Sequence, residues 1–245
     1  MEGRSYTPLL KTEKLTKSFG GLMALCEVNF EIHQGEIFGV IGPNGSGKTT
    51  LFNVITGFLK ANKGKVTFTG KDITGLPPHQ ICRQGIARIF QLVKPFHQLT
   101  TLQNVMVGRA YGKDPATNIR KAEEEVVEIL NFVGLGNKIE VLASQLTMAE
   151  RKRLELARAL AAHPQLLLLD ELMAGLNSAE TETAMSLVNK IRESGITVIM
   201  VEHIMKAVLG ISDRVMVLNV GEKIAEGSPK EVVKNQLVIE AYLGK

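Results

Sequence analysis

Residues Gly42-Pro43-Asn44-Gly45-Ser46-Gly47-Lys48-Thr49 fit the P-loop pattern G-x-x-x-x-G-K-[ST]. Glycines let a backbone curl until its N–H groups converge on a phosphate, and a helix that begins near Lys48 adds its positive dipole end. Lys48 is then placed to reach the outer phosphates of a nucleotide, and the Thr49 hydroxyl to ligate Mg²⁺. The competing reading is a chance glycine turn, and the apolar strand before and helix after the motif weigh against it. A second signal is Leu166-Leu167-Leu168-Leu169-Asp170-Glu171. Four apolar residues followed by two acids put carboxylates at the C-terminal edge of a buried strand, where open α/β sheets bind ligands. Asp170 suits the Mg²⁺ shell, and Glu171 suits orienting or deprotonating a water. Acids often follow strands, so this signal gains its force from the P-loop beside it.

These residues need a sheet to position them. Leu25–Ile32 alternates apolar and polar as a half-buried strand does. Glu36–Ile41 reads as a buried strand running into the P-loop, with a helix over Thr49–Gly57. Lys65–Thr69 reads as a strand before the turn Gly70-Lys71-Asp72, and Pro77–Gln84 as a short helix. Leu92–Thr100 looks irregular. Asn118–Phe132 and Ala149–Ala162 read as long helices, the first with Val126, Val127, Ile129 and Leu130 on its apolar face, the second stopped before Pro164. Strands over Leu166–Asp170, Ile196–Val201, Ser212–Asn219 and Lys223–Glu226 and a helix over Ser178–Ser194 complete the set. This alternation favours an α/β fold with a mainly parallel sheet. The expected organisation is one domain, 1–245, with a helical subdomain inserted at 93–163.

Composition narrows the classes. The chain has 245 residues, 44% hydrophobic and 22% charged, which suits a globular domain with a large core. The 29 Lys and Arg against 25 Asp and Glu are scattered, without the basic clusters and interleaved aromatics of a nucleic-acid footprint. Cys26 and Cys82 have neither metal nor redox spacing and suggest thiols in a reducing compartment. Met1–Lys11 is polar and lacks a signal-peptide core. No run approaches the roughly 20 apolar residues that span a bilayer. Any membrane connection is expected to come through a partner.

With these motifs in place, the chain resembles the ABC ATPases over nearly its whole length. The resemblance implies a P-loop NTPase fold with a mainly parallel core sheet, an antiparallel β part and a helical insertion. It also implies ATP and Mg²⁺ as ligands. Gln91, after the strand Ile86–Phe90, matches the Q-loop glutamine, which touches Mg²⁺ and contacts the membrane partner. His203, after Ile196–Val201, matches the switch histidine at the γ-phosphate. Phe19 matches the aromatic residue that stacks on adenine. Ala174-Gly175-Leu176-Asn177 matches the D-loop at a dimer seam, with Asn177 where the commonest family form has Asp. Gly42 to Thr50, Thr50 included, would surround the nucleotide's phosphates. His33, His79, His97 and His163 fall in turns or polar stretches and read as surface residues.

The family's signature, usually L-S-G-G-Q, is altered to Leu146-Thr147-Met148-Ala149-Glu150, while Arg151 to Arg158 remain family-like. Thr147 keeps an N-cap hydroxyl. Ala149 adds a methyl where the backbone should approach the γ-phosphate held by the opposite subunit. Either the backbone donors survive, or one composite site turns over slowly. The presence of Lys48, Glu171, Gln91 and His203 favours the first. The stretches Val201–Met205, Gly210–Arg214, Val217–Gly227 and Val238–Gly244 resemble the ATPases of branched-chain amino acid importers. The implied partners are transmembrane permeases, a second ABC ATPase subunit as homo- or heterodimer and, indirectly, a substrate-binding protein, at the cytoplasmic face of the membrane. Two alternatives stand beside this: a nucleotide-gated regulatory or assembly ATPase with weak hydrolysis, and the same motor serving another cargo, such as urea, other amino acids or exported lipid.

Overall fold

The computed structural model of the chain describes residues 7–243. Most of the polar N-terminal stretch, and Gly244 of the tail, lie outside them. In chain order the elements are β1 (Leu10–Phe19), β2 (Leu22–Ile32), β3 (Ile37–Ile41), α1 (Lys48–Ile55), β4 (Lys63–Phe68), β5 (Lys71–Asp72), α2 (Pro78–Gln84) and β6 (Ile86–Ile89). There follow α3 (Thr101–Tyr111), α4 (Ile119–Phe132), α5 (Met148–Leu160), β7 (Leu166–Asp170), α6 (Ser178–Glu193) and β8 (Thr197–Val201). The last are α7 (Met205–Ile211), β9 (Arg214–Asn219), β10 (Glu222–Gly227), α8 (Pro229–Val232) and α9 (Gln236–Leu243).

The strands form two sheets. One is antiparallel, in the order β2-β1-β4-β5. The other runs β10-β9-β3-β8-β7-β6 and is parallel except for the β10–β9 pair. Strands β3, β7 and β8 are buried along their whole length, as expected for parallel strands covered on both faces. Successive side chains alternate between two cores, by the two-residue period of a strand. Ile37, Ile41, Leu167 and Leu169 join the core under the helices α3 to α7, whereas Phe38, Val40, Leu166 and Leu168 join the core shared with α1 and the antiparallel sheet. The main sheet is thus the common wall of both cores.

Strand β1 lies outside the sequence expectation, because its alternation is broken. Its pairing with β2 shifts register between Thr12 and Leu15 and twice more before Ser18, and Lys14 and Glu27 both have φ of 46°. Such bulges turn side chains out of phase with a simple two-residue pattern. Helices α3, α7, α8 and α9 also went unpredicted. Helix α3 is set by a capping box, in which the Thr100 hydroxyl accepts from Gln103 N–H and the Gln103 side chain accepts from Thr100 N–H. Helix α4 buries Ala122, Val126 and Leu130, four residues apart, and leaves Val127 and Ile129 half-buried. Burying side chains the size of Val126 and Leu130 stabilises by about 1.5–3 kcal/mol each. Leu92 to Leu99 are irregular, as the sequence implies. His79, His97 and His163 are exposed, whereas His33 is half-buried.

Candidate functional site

The neighbouring parallel strands β3, β8, β7 and β6 all end at one edge of the sheet. The P-loop follows β3, Gln91 lies just past β6, Glu171 follows β7, and Glu202 and His203 follow β8. Gln91 and Glu171, 80 positions apart in the chain, therefore meet because their strands are neighbours. One open cleft is lined by Phe19, Leu22, Asn44 to Thr50, Gln91, Glu171 and His203.

The P-loop conformation depends on glycine at two tight places. A Cβ on Gly42 (φ 151°) would sit 2.0 Å from the Leu218 carbonyl oxygen, and one on Gly47 (φ 105°) 2.4 Å from that of Ala24. Gly47 is the N-cap of α1 and supplies no side-chain acceptor, so the first turn of the helix presents its N–H groups to the cleft. The loop is bolted to the β9–β10 turn: Gly221 N–H donates to Ser46 O at 3.0 Å, and Gly221 O accepts from Cys26 N–H at 2.8 Å. Lys48 is buried, and its ammonium donates to Gly42 O and Pro43 O at 2.8 Å and to Ser46 Oγ at 3.2 Å. Burial lowers its pKa, opposed by the nearby charges of Glu171 and Asp170.

Across the cleft, both oxygens of Glu171 are engaged. Gln91 Nε2 donates to Oε2 at 2.6 Å, and His203 Nε2 lies 2.6 Å from Oε1. A carboxylate only accepts, so this pairing puts a proton on His203 Nε2. Glu171 has φ of 53°, and its N–H donates to Val201 O at 2.8 Å. Left-handed backbone at a residue other than glycine costs on the order of 1–3 kcal/mol and survives where the surroundings impose it.

Asp170 sits beneath this layer. Arg88, on β6, donates from Nη2 to Asp170 Oδ2 at 2.6 Å, with side-chain exposures of 5% and 4%. Arg88 Nη1 donates to Asn53 Oδ1 at 2.7 Å and Thr56 Oγ1 at 3.2 Å, and the guanidinium lies 5.5 Å from the Phe52 ring centroid and 4.7 Å from that of Phe90. Phe19 stands on the cleft's rim, 46% exposed, with Lys17 Nζ 5.1 Å from its ring centroid. The Thr49 hydroxyl, the Gln91 amide oxygen and the Asp170 oxygen that Arg88 leaves free are oxygens that could serve Mg²⁺. All are hard donors of the kind Mg²⁺ accepts, and they are few enough to leave coordination places for phosphate and water.

Thr147 and Ala149 do not reach this cleft. They line a separate cavity between α5 and α6, with Lys152, Leu172, Leu176 and Glu180. Thr147 caps α5 in a capping box: its hydroxyl accepts from Glu150 N–H at 3.3 Å, and Glu150 Oε2 accepts from Thr147 N–H at 2.9 Å. Lys138 lies 2.7 Å from Glu150 Oε1, and its hydrogen bond is the main reason that the Glu150 pKa is lowered. The first turn of α5 therefore already holds a carboxylate. Asn177 caps α6 in the same way with Glu180.

Four charged residues of this region escaped sequence reasoning. Arg88 is one. Glu155 is buried, accepts from Lys94 N–H at 2.6 Å, and has its pKa raised by burial. Lys152 and Glu202, 6% and 2% exposed, grip the backbone just after Glu171. Burial lowers the Lys152 pKa and pushes that of Glu202 up to about 7. Glu150 and Glu155, on either side of the basic run that holds Lys152, and a Glu directly before His203 were the available signals, but none declares burial.

Beside Gln91 runs an open groove lined by Thr56, Phe58, Ile81, Phe90, Tyr111 and Arg158, with Phe58 and Tyr111 more than half exposed. Among the described residues no helix is long and apolar enough to cross a membrane.

Residues 25–174 match the ABC transporter family, and residues 222–245 match the branched-chain amino acid ATP-binding cassette transporter family. The high-affinity branched-chain amino acid transport ATP-binding protein BraF of Pseudomonas aeruginosa is 39% identical, over 97% of this chain and 98% of its own. Among solved structures, the ADP conformation of MJ1267, an ATP-binding cassette of an ABC transporter, superposes with a TM-score of 0.89 at 35% identity, covering 98% of this chain and all of its own. The dimeric structure of MJ0796, a bacterial ABC transporter cassette, gives 0.81 at 28% identity, over 90% of this chain and 98% of its own.

Proposed function

The chain belongs to the ABC transporter family, and on that premise we propose that it binds and hydrolyses ATP as one half of a cassette dimer driving a branched-chain amino acid importer. The observation that carries the hydrolytic part is Glu171, held on both oxygens by Gln91 and His203 at the mouth of the P-loop cleft. Cargo rests on likeness to BraF and on the match of residues 222–245.

In this reading Gly42 to Thr50 wrap the phosphates, and Lys48 exchanges its own loop's carbonyls for the outer phosphate oxygens. Phe19 and Leu22 flank the base. Thr49, Gln91 and Asp170 would hold Mg²⁺, whose charge would offset that of the phosphates. Glu171 orients a water and takes its proton, and His203 turns from Glu171 to the γ-phosphate. Thr147 and Ala149, facing away from their own cleft, serve the nucleotide of a second copy or a related cassette. The helical stretch 93–163 moves as a subdomain on closure. The exposed apolar groove beside Gln91 supports a permease as the membrane partner, at the cytoplasmic face, with a substrate-binding protein acting through the permease.

Glu171→Gln keeps the shape but cannot accept a proton, so turnover should fall by about 100-fold or more while ATP binding persists and a closed dimer accumulates. Parent-like turnover removes Glu171 from the role. A second reading, ATP used mainly to dimerise, draws support from the Glu150 carboxylate in the first turn of α5. Single-turnover assays on the assembled complex separate the two.

A further inference from the structure

Lys152 reaches from α5 to the far side of the Glu171 turn. Its ammonium donates to Leu172 O at 2.8 Å, to Glu171 O at 3.3 Å, and to Ala174 O. From the other side Glu202, the residue before His203, accepts from Met173 N–H at 2.7 Å through Oε1. Every residue from Glu171 to Ala174 thus gives a backbone group to one of these two side chains. Both side chains are buried, so the backbone groups they meet are what offsets the cost of taking them out of water. The turn they hold contains the left-handed Glu171, whose conformation needs outside support.

We propose that Lys152 and Glu202 are positioning residues for hydrolysis: a two-sided clamp that fixes the Glu171–Ala174 backbone and ties it to the helix carrying Thr147 and Ala149. The inference rests on the reading of Glu171 as the hydrolytic carboxylate. It adds a mechanical link. Helix α5 begins at the segment that serves one nucleotide, and one turn later its Lys152 grips the residue that acts on the other. Displacement of α5 on nucleotide closure therefore moves Glu171 O and the D-loop carbonyl of Ala174 together. The clamp touches neither phosphate nor base, so it acts on the chemical step and leaves nucleotide binding alone.

The experiment compares Lys152→Met, Lys152→Arg, Glu202→Gln and Glu171→Gln in the assembled transporter. It measures kcat and KM for ATP, together with hydrogen exchange at residues 171–174. Lys152→Met should lower kcat by about 10- to 100-fold, because small displacements of a reacting group have that effect, while KM stays within about twofold. Exchange should rise at residues 171–174 and stay unchanged in the P-loop. Lys152→Arg, which keeps a cation of similar reach, should recover most of kcat. Glu202→Gln keeps an acceptor for Met173 N–H and should lose little. Where Lys152→Met does not assemble, the double variant Lys152→Met, Glu202→Gln removes the stranded charge and should show the same kcat loss. A kcat for Lys152→Met at the parent level beside an inactive Glu171→Gln overturns the clamp alone. Equal falls in kcat and ATP affinity, or no rescue by Arg, also overturn it. An active Glu171→Gln overturns the reading beneath it.

Discussion

Replacing Arg88 by Met probes the most buried charge pair of the site. The perturbation removes the cation 2.6 Å from Asp170 and keeps much of the stem's volume between Phe52 and Phe90. Asp170 is left without its cation partner, with side-chain exposure of 4%. Breaking a buried pair by deleting one member costs about 3–5 kcal/mol. Lys48 is near enough to feel Asp170 and offsets part of this, so the lower end, about 3 kcal/mol, is expected. For a chain of this size each kcal/mol moves the midpoint by about 2–4 °C, so thermal unfolding should fall by about 10 °C. The control is Arg88→Met with Asp170→Leu. Removing both charges leaves nothing stranded, and the double variant should recover most of the lost midpoint even though it cannot hydrolyse ATP. Differential scanning calorimetry without nucleotide measures both. A single variant within about 2 °C of the parent, or a double variant no better than the single, refutes the reasoning.

Two further outcomes follow from neighbouring residues. Ala149→Gly should keep or raise ATPase activity of the assembled dimer while lowering helix stability by about 0.5–1 kcal/mol, and a clear loss of turnover would show that the methyl does not crowd the phosphate. Glu202 should give the fold a pH slope. Its carboxyl titrates near 4.5 when unfolded and at about 7 when folded. Folding therefore takes up a proton between those values, and stability is full below 4.5 and falls as pH rises towards 7. Glu202→Gln should flatten this slope, gaining up to about 3 kcal/mol on the parent between acid and pH 8 in urea titrations, and parallel curves would rule the effect out.

What the sequence made legible was local. Gly42 to Thr49 and Leu166 to Glu171 are contiguous, and each pattern has a single physical use in a sheet that ends beside a helix. Gln91 and His203 needed a family pattern, because nothing in their immediate neighbours marks them. Arg88 stayed hidden because its partner is 82 positions away and an arginine in a short strand looks like an edge residue. Lys152 and Glu202 stayed hidden for the opposite reason: charged letters read as surface, and only packing of α5 against the strand ends buries them. Strand β1 was lost to its bulges.

The bond from Gly221 to Ser46 gives the far end of the chain a hand in gripping nucleotide. Trimming the protein ahead of that turn would remove an edge strand and also unfasten the phosphate cradle about 175 positions upstream. Tags and fusions therefore belong after the last helix, and a truncation that still folds should be judged by its hold on ATP before its yield.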